Sequence, residues 1–238
     1  MKKPYIKKYG EMSHFIIYIV DGNYIRTNID EEFTNFGQHY RFKYIPKNEF
    51  WIDLEHGKSD ESKFFIDHLL LENRLMAQGK NYSFAEYEAE KKEKLERIKT
   101  DSILKKNKQN DSELINKIHI KQLKKFSGKV KVWLVDGRLV RDLYRVQFTE
   151  GGHDLVYSFI PPKEIWIDDD VSPKERKYII LHELYERNLM AKGWTYDLSK
   201  NTNSAHFAAS HIEYKCRHNP KLLMDCLKAE VVKSDKLY

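Results

Sequence analysis

Residues 64–82 read FFIDHLLLENRLMAQGKNY, and residues 178–196 read YIILHELYERNLMAKGWTY. Aligned, the two stretches share His68 with His182, Glu72 with Glu186, Leu75-Met76-Ala77 with Leu189-Met190-Ala191, Gly79 with Gly193 and Tyr82 with Tyr196. Outward from them, Val20-Asp21-Gly22 recurs as Val135-Asp136-Gly137, Phe33 as Phe148, Gly37 as Gly152, Pro46 as Pro161, Trp51 as Trp166 and Asp53 as Asp168. Self-similarity at one offset, with a one-residue slip before the helical stretch, predicts a chain built as two like units. Residues kept in both halves mark the scaffold. Polar residues that differ mark where one half can do chemistry and the other cannot.

The chain has 238 residues, 41% hydrophobic and 33% charged, which fits two soluble globular units. No run approaches the roughly 18–20 apolar residues of a membrane span. The N-terminal HFIIYIV reads as a strand rather than a signal segment, because it is β-branched and lacks a small-residue cleavage site. Cys216 and Cys226 offer neither a disulfide framework nor metal-ligand spacing, so a cytoplasmic location is expected. The net charge of +6 comes largely from Lys-rich stretches. It leaves nucleic acid as a minor option, without Arg clusters or a recognised binding motif.

Each half reads as strands followed by two helices. In the second, KVKVWLV is a strand by alternation, Asp136-Gly137 a tight turn and LVRDLYRVQFT the returning strand. Gly151-Gly152 makes a second turn, DLVYSFI a third strand and KEIWID a fourth. Ser172-Pro173 with Glu175 predicts a helix start, Gly193 its C-terminal stop, and a last helix covers about 204–217. The expectation is an α+β tandem duplication, each unit a small antiparallel sheet followed by a helical hairpin. Residues 1–99 form the first repeat, 100–127 a Lys-rich linker and 128–238 the second. Six residues, about Leu198 to Asn203, extend the loop between the second pair of helices.

Chemistry is concentrated in His182-Glu183-Leu184-Tyr185-Glu186. Positions i and i+4 share a helix face, so His182 and Glu186 address one point, while Glu183 sits about 100° round. In a helical hairpin His206 converges with them. Two imidazoles, one carboxylate and an open position suit a catalytic zinc ion, with Glu183 placed to take the proton of its water. Glu213 reads as an acceptor for a ligand histidine, and His211 as a candidate donor to the transition state. His153, His211 and His218 otherwise read as ordinary surface or turn histidines, and Trp51 and Trp166 as core residues.

KEIWIDDDVSPKERKYIILHELYE, from Lys163 to Glu186, resembles the strand-then-active-helix segment of the ImmA/IrrE-type zincin-like metallopeptidases, with a looser likeness to Glu213. The resemblance implies that His182 is a zinc ligand and Glu183 the general base of a peptidase. Glu186 stands where that family has a second His, and His206 where it has an acidic ligand. The wider pattern of VDG, FIP, EIWID, HELxE and AHxxAxxxE is also similar to phage and bacterial proteins of unassigned activity.

The first half serves as an internal control. It keeps His68 and Glu72, but Leu69 replaces Glu183, Glu86 replaces His206, and Glu93 matches Glu213. A hydrolase without its base does not activate water in the usual way, so this half is expected to be inert, with His68, Glu72 and Glu86 as a weaker or harder-ion metal set. Three readings stay open. The first is a zinc-dependent hydrolase acting on a peptide or protein that adds along the EIWID edge. The second is a non-enzymatic binding or structural protein, of phage origin, whose His–Glu pairs staple the helices. The third is a basic adaptor that touches nucleic acid through the linker.

Overall fold

The computed structural model describes residues 3–56, 60–100, 111–196 and 203–238. The chain divides into two compact units, Met1–Gln109 with Arg141–Gln147, and Asn110–Val140 with Phe148–Tyr238. Among the described residues there are two four-stranded sheets and eight helices, and the sheet-then-helices pattern occurs twice in a mixed α+β fold. No helix of the described residues is long and apolar enough to cross a membrane.

The first half runs β1 (Tyr5–Met12), β2 (Phe15–Val20), α1 (Gly22–Asn28), β3 (Phe36–Gln38), β4 (Glu49–Asp53), α2 (Ser62–Ala77) and α3 (Tyr82–Thr100). The second runs α4 (Asp111–Ile118), β5 (His119–Gln122), β6 (Lys131–Val135), α5 (Gly137–Leu143), β7 (Gly151–His153), β8 (Glu164–Asp168), α6 (Arg176–Met190), α7 (Ala205–His218) and α8 (Pro220–Leu237). Strand orders are β1-β2-β4-β3 and β5-β6-β8-β7.

Neither sheet is purely antiparallel, as the sequence suggested. The central pairs, β2 with β4 and β6 with β8, are parallel, and the outer pairs antiparallel. The reason lies in the Asp-Gly pairs, which start helices rather than hairpins. The Asp21 carboxylate accepts from the Tyr24 N–H and Asp136 from the Leu139 N–H, each as an N-cap. Beneath the caps, a Cβ on Gly22 would stand 1.9 Å from Asp53 Oδ2, and one on Gly137 2.1 Å from the Asp168 carboxyl carbon. The recurring VDG and WID motifs are therefore one close contact made twice. The cap turns the chain into α1 and α5, and a crossover returns it parallel to its starting strand.

Other expectations change with this. LVRDLYRVQFT is helix over its first part, and DLVYSFI is a series of turns in which the Val156 and Tyr157 N–H groups donate to the His153 carbonyl. Gly151-Gly152 is strand rather than turn. Of the expected linker, residues 101–110 lie outside the described residues, while 111–122 form α4 and the edge strand β5 of the second sheet. The extended loop at 198–203 falls outside them as well, apart from Asn203. A turn precedes α6, which starts at Arg176 rather than at Ser172-Pro173. The final helix α8 had not been expected.

The central strands β2 and β4 each serve two cores, because successive side chains point to opposite faces. Phe15, Ile17, Ile19, Phe50 and Ile52 pack against Phe65, Ile66 and Leu69 of α2. Trp51, Tyr18 and Val20 pack on the other face with Ile25, Phe33 and Ile45. In the second unit Val132, Leu134, Ile165 and Ile167 meet Ile180 and Leu184 of α6, Cys216 of α7, and Leu223 and Leu227 of α8. Trp51 and Trp166 are buried, as their place in the strands predicted.

Candidate metal centre

Helices α6 and α7 bring the expected ligands together. His182 and Glu186 lie one turn apart on α6, and Ser204 caps α7 by accepting from the Phe207 N–H, which sets His206 in its first turn. His182 Nε2 stands 3.3 Å from His206 Nδ1 and 3.5 Å from Glu186 Oε2, and His206 Nδ1 stands 2.8 Å from the same oxygen. The three donors lie close enough to hold a metal ion. A tetrahedral ion with bonds of about 2.0–2.1 Å sets its ligand atoms about 3.3–3.4 Å apart. Two edges of the triangle are close to that length, and the third, at 2.8 Å, is the shorter His206–Glu186 hydrogen bond. His206 is the most exposed of the three side chains at 19%, so water reaches the triangle from its side.

Behind the triangle, His182 and Glu186 are each held by a further partner. His182 Nδ1 stands 3.0 Å from Glu213, which accepts from Arg217 at 2.8 Å; Arg217 in turn donates to Glu175 at 2.7 Å. Such a carboxylate behind a ligand histidine fixes its tautomer and ring direction. Glu213, read from the sequence as an acceptor for a ligand histidine, lies within hydrogen-bond distance of His182. The second oxygen of Glu186 is 2.9 Å from His153 Nε2. His153, read from sequence as an ordinary turn or surface histidine, is fully buried. The end of β7 points it at α6, and the same register in the first unit holds Gln38, which donates to Glu72 at 2.6 Å. That pairing of two hydrogen-bonding residues was the available sequence signal. His211 and His218 are exposed; His218 lies 3.0 Å from the Tyr214 carbonyl.

Electrostatics follow from burial and these contacts. Burial works against charge on His182, yet Glu186 and Glu213 hold it protonated well above the ordinary imidazole range. Burial likewise opposes ionisation of Glu213, but Arg217 and His182 hold it at about 2. Glu186 is kept well below the carboxylate range by His153, His182 and His206 despite its burial. Glu183 is the opposite case: burial first, and the neighbouring Glu186 second, push it up to about 8. Its carboxylate forms a second close cluster with His153 and Glu186.

Gly151 makes room for that carboxylate. A Cβ there would lie 3.0 Å from Ile179 Cγ2, 3.1 Å from the Trp166 carbonyl and 3.3 Å from Glu183 Oε1. The corresponding residue of the first unit is Phe36, whose ring stacks on Phe65 at 4.9 Å beside Leu69. Glycine with glutamate in one unit therefore answers phenylalanine with leucine in the other.

The first unit keeps the support without the site. His68 Nδ1 stands 2.8 Å from Glu93, Glu93 accepts from Arg97 at 2.8 Å, and Arg97 donates to Glu61. This repeats the path from His182 through Glu213 and Arg217 to Glu175. Glu72 is 3.6 Å from His68, while Glu86 accepts from Tyr82 at 2.8 Å. Among the described residues, no three donors of this unit alone converge as those of the second do.

One sequence expectation about substrate does not hold. EIWID is strand β8, which lies between β6 and β7 and has no free edge. The edge strand next to it is β7, whose three residues are buried. The chain matches no protein-family model, no curated protein and no solved structure, which leaves the contrast between its own two halves as the basis for a functional reading.

Proposed function

We propose that the second unit is a zinc-dependent hydrolase, with His182, Glu186 and His206 as ligands and Glu183 as general base. We also propose that the two halves arose by duplication and that the first has lost, or never gained, the reactive residues. The spacing of the three donor atoms, at 3.3 and 3.5 Å on two edges, carries this reading. His182, Glu186 and His206 would hold the zinc, which would supply an acidified water at the site. Glu183, kept beside Glu186 by the space at Gly151, would take the proton of that water. A peptide is the proposed substrate, on the resemblance of the α6 segment to zincin-like peptidases, docking over the exposed His206 side rather than along β8.

Metal analysis of the purified chain tests this. About one zinc per chain, lost in His206→Ala and retained in Glu183→Gln, is expected, together with peptide hydrolysis that is lost in the first variant and falls steeply in the second. Zinc-free wild type that gains no thermal stability from added zinc would sink it.

One observation favours a second reading. The path His68–Glu93–Arg97–Glu61 is complete in a unit without the triangle, so the path alone serves as a buried polar staple. In that case His182→Gln destabilises the fold, Glu183→Gln changes no function, and no metal is found.

A further inference from the structure

The face of α2 that the first unit leaves open is the face of α6 that the second covers with α8. A groove of about 770 Å³ lies on the first unit, walled by Phe15, Leu70, Leu71, Arg74 and Ala77. The corresponding residues of the second unit are Val130, Leu184, Tyr185, Asn188 and Ala191. There α8 lies in contact with α6. Leu223 and Leu227 are buried in the core with Leu184, the Asn188 amide donates to Glu230 at 3.0 Å, and Ser234 donates back to Asn188 at 2.7 Å. At the end of the helix, Asp235 accepts from the Lys129 N–H at 2.6 Å. Ser13 and His14, which correspond to Gly128 and Lys129, also line the groove. The described residues of the first unit contain no counterpart of α8.

We propose that this groove is a docking site for an amphipathic helix of a partner protein, one that carries a carboxylate toward Arg74. Three observations define the occupant. The groove lies on α2 where α8 lies on α6 in the other unit, and Phe15, Leu70, Leu71 and Ala77 give it an apolar side among polar residues, which suits an amphipathic helix laid in a groove. Its lining includes Lys47, Arg74 and Lys92, of which Lys92 also reaches Glu96 at 3.3 Å, and contains no carboxylate among the described residues. Where Asn188 meets Glu230, the exposed Arg74 gives an incoming carboxylate a charged partner. The third observation disfavours α8 of another copy of this chain. A Cβ at Gly128 would stand 2.1 Å from Asp235 Oδ1, and Ser13 carries that Cβ. An occupant with a small residue where α8 has Asp235 avoids that contact without moving a side chain.

A labelled peptide of residues 219–238 with Cys226→Ser and Asp235→Ala, titrated into the intact chain by fluorescence anisotropy, tests the site. Saturable binding is expected, lost with Leu71→Glu and weakened about tenfold or more by the surface change Arg74→Glu. A peptide that also carries Glu230→Lys restores binding to Arg74→Glu while binding wild type poorly. Circular dichroism confirms that each variant is folded. Absence of saturable binding, indifference to both substitutions in α2, or failure of the charge exchange overturns the proposal. So does a concentration-dependent dimer in sedimentation that Leu71→Glu dissolves, because a second copy would then fill the groove.

Discussion

His153 Nε2 lies 2.9 Å from Glu186 Oε1, the carboxylate oxygen that His182 and His206 leave free. One buried carboxylate is thereby shared among three imidazoles. The corresponding contact in the first unit joins Gln38 to Glu72, so an amide fills the same role where no second imidazole is present.

The exchange gives a first prediction. His153→Gln should retain fold and metal, with a loss in denaturant stability of under about 1 kcal/mol, because a donor to Glu186 remains. His153→Ala leaves that oxygen buried without its partner and should cost about 1–3 kcal/mol. Equal losses in the two variants would show that packing, not the hydrogen bond, is what His153 supplies.

Gly151→Ala probes the space beside Glu183. Its Cβ would press on Ile179 and on the Trp166 carbonyl, and would sit 3.3 Å from the carboxylate. A stability loss of about 1–3 kcal/mol is expected from overpacking, together with a fall in hydrolysis at unchanged zinc content. Unchanged turnover would separate Glu183 from the reaction.

Glu183→Gln removes the proposed base and keeps its shape. Zinc content should be unchanged, and hydrolysis should fall by about 10²–10⁴-fold, the usual worth of a positioned acid–base group. A turnover within a factor of a few of wild type would remove Glu183 from the mechanism.

His68 gives a pH signature in the first unit. Glu72 and Glu93 raise it to about 9 against the effect of burial, from an ordinary value of 6.5. The folded state therefore binds its proton more tightly than the unfolded chain does. The stabilisation is complete below pH 6.5 and is lost as the pH rises through about 9. Nuclear magnetic resonance titration should place the His68 midpoint near 9, and wild type should lose stability relative to His68→Gln across that window. A midpoint near 6.5 would contradict the pairing.

Gly137→Ala tests the contact shared by the VDG and WID motifs. A Cβ 2.1 Å from the Asp168 carboxyl carbon forces the cap of α5 off the sheet. A loss of about 3 kcal/mol is expected in chemical denaturation, as for overpacked cores. A loss below about 0.5 kcal/mol would mean that Asp168 moves aside freely.

What was legible in the sequence follows from which signals are local. The α2 and α6 helices, with Gly79 and Gly193 at positive φ just past their ends, were legible from apolar spacing and glycine position. So was the meeting of His182, Glu186 and His206, which needs only two helices and a short return. The Asp-Gly pairs misled because the same dipeptide starts a hairpin or caps a helix, and the choice depends on Asp53 and Asp168, about thirty residues away. His153 was missed for a similar reason: its ligand-facing direction comes from the pairing of β7 with β8, which no local pattern announces. The Glu61–Arg97 and Glu175–Arg217 pairs recur between the halves, yet they join positions too far apart in the chain to be read as partners.

The path from His182 through Glu213 and Arg217 to Glu175 has its match in a unit with leucine in place of the proposed base. On the function proposed above, reactivity and foldability are therefore separable in this architecture. A lineage can discard the carboxylate at position 183, or acquire one at position 69 with a small residue at 36, while the arginine-anchored frame persists. The frame behaves as a mounting to which a reactive group is fitted or from which it is removed.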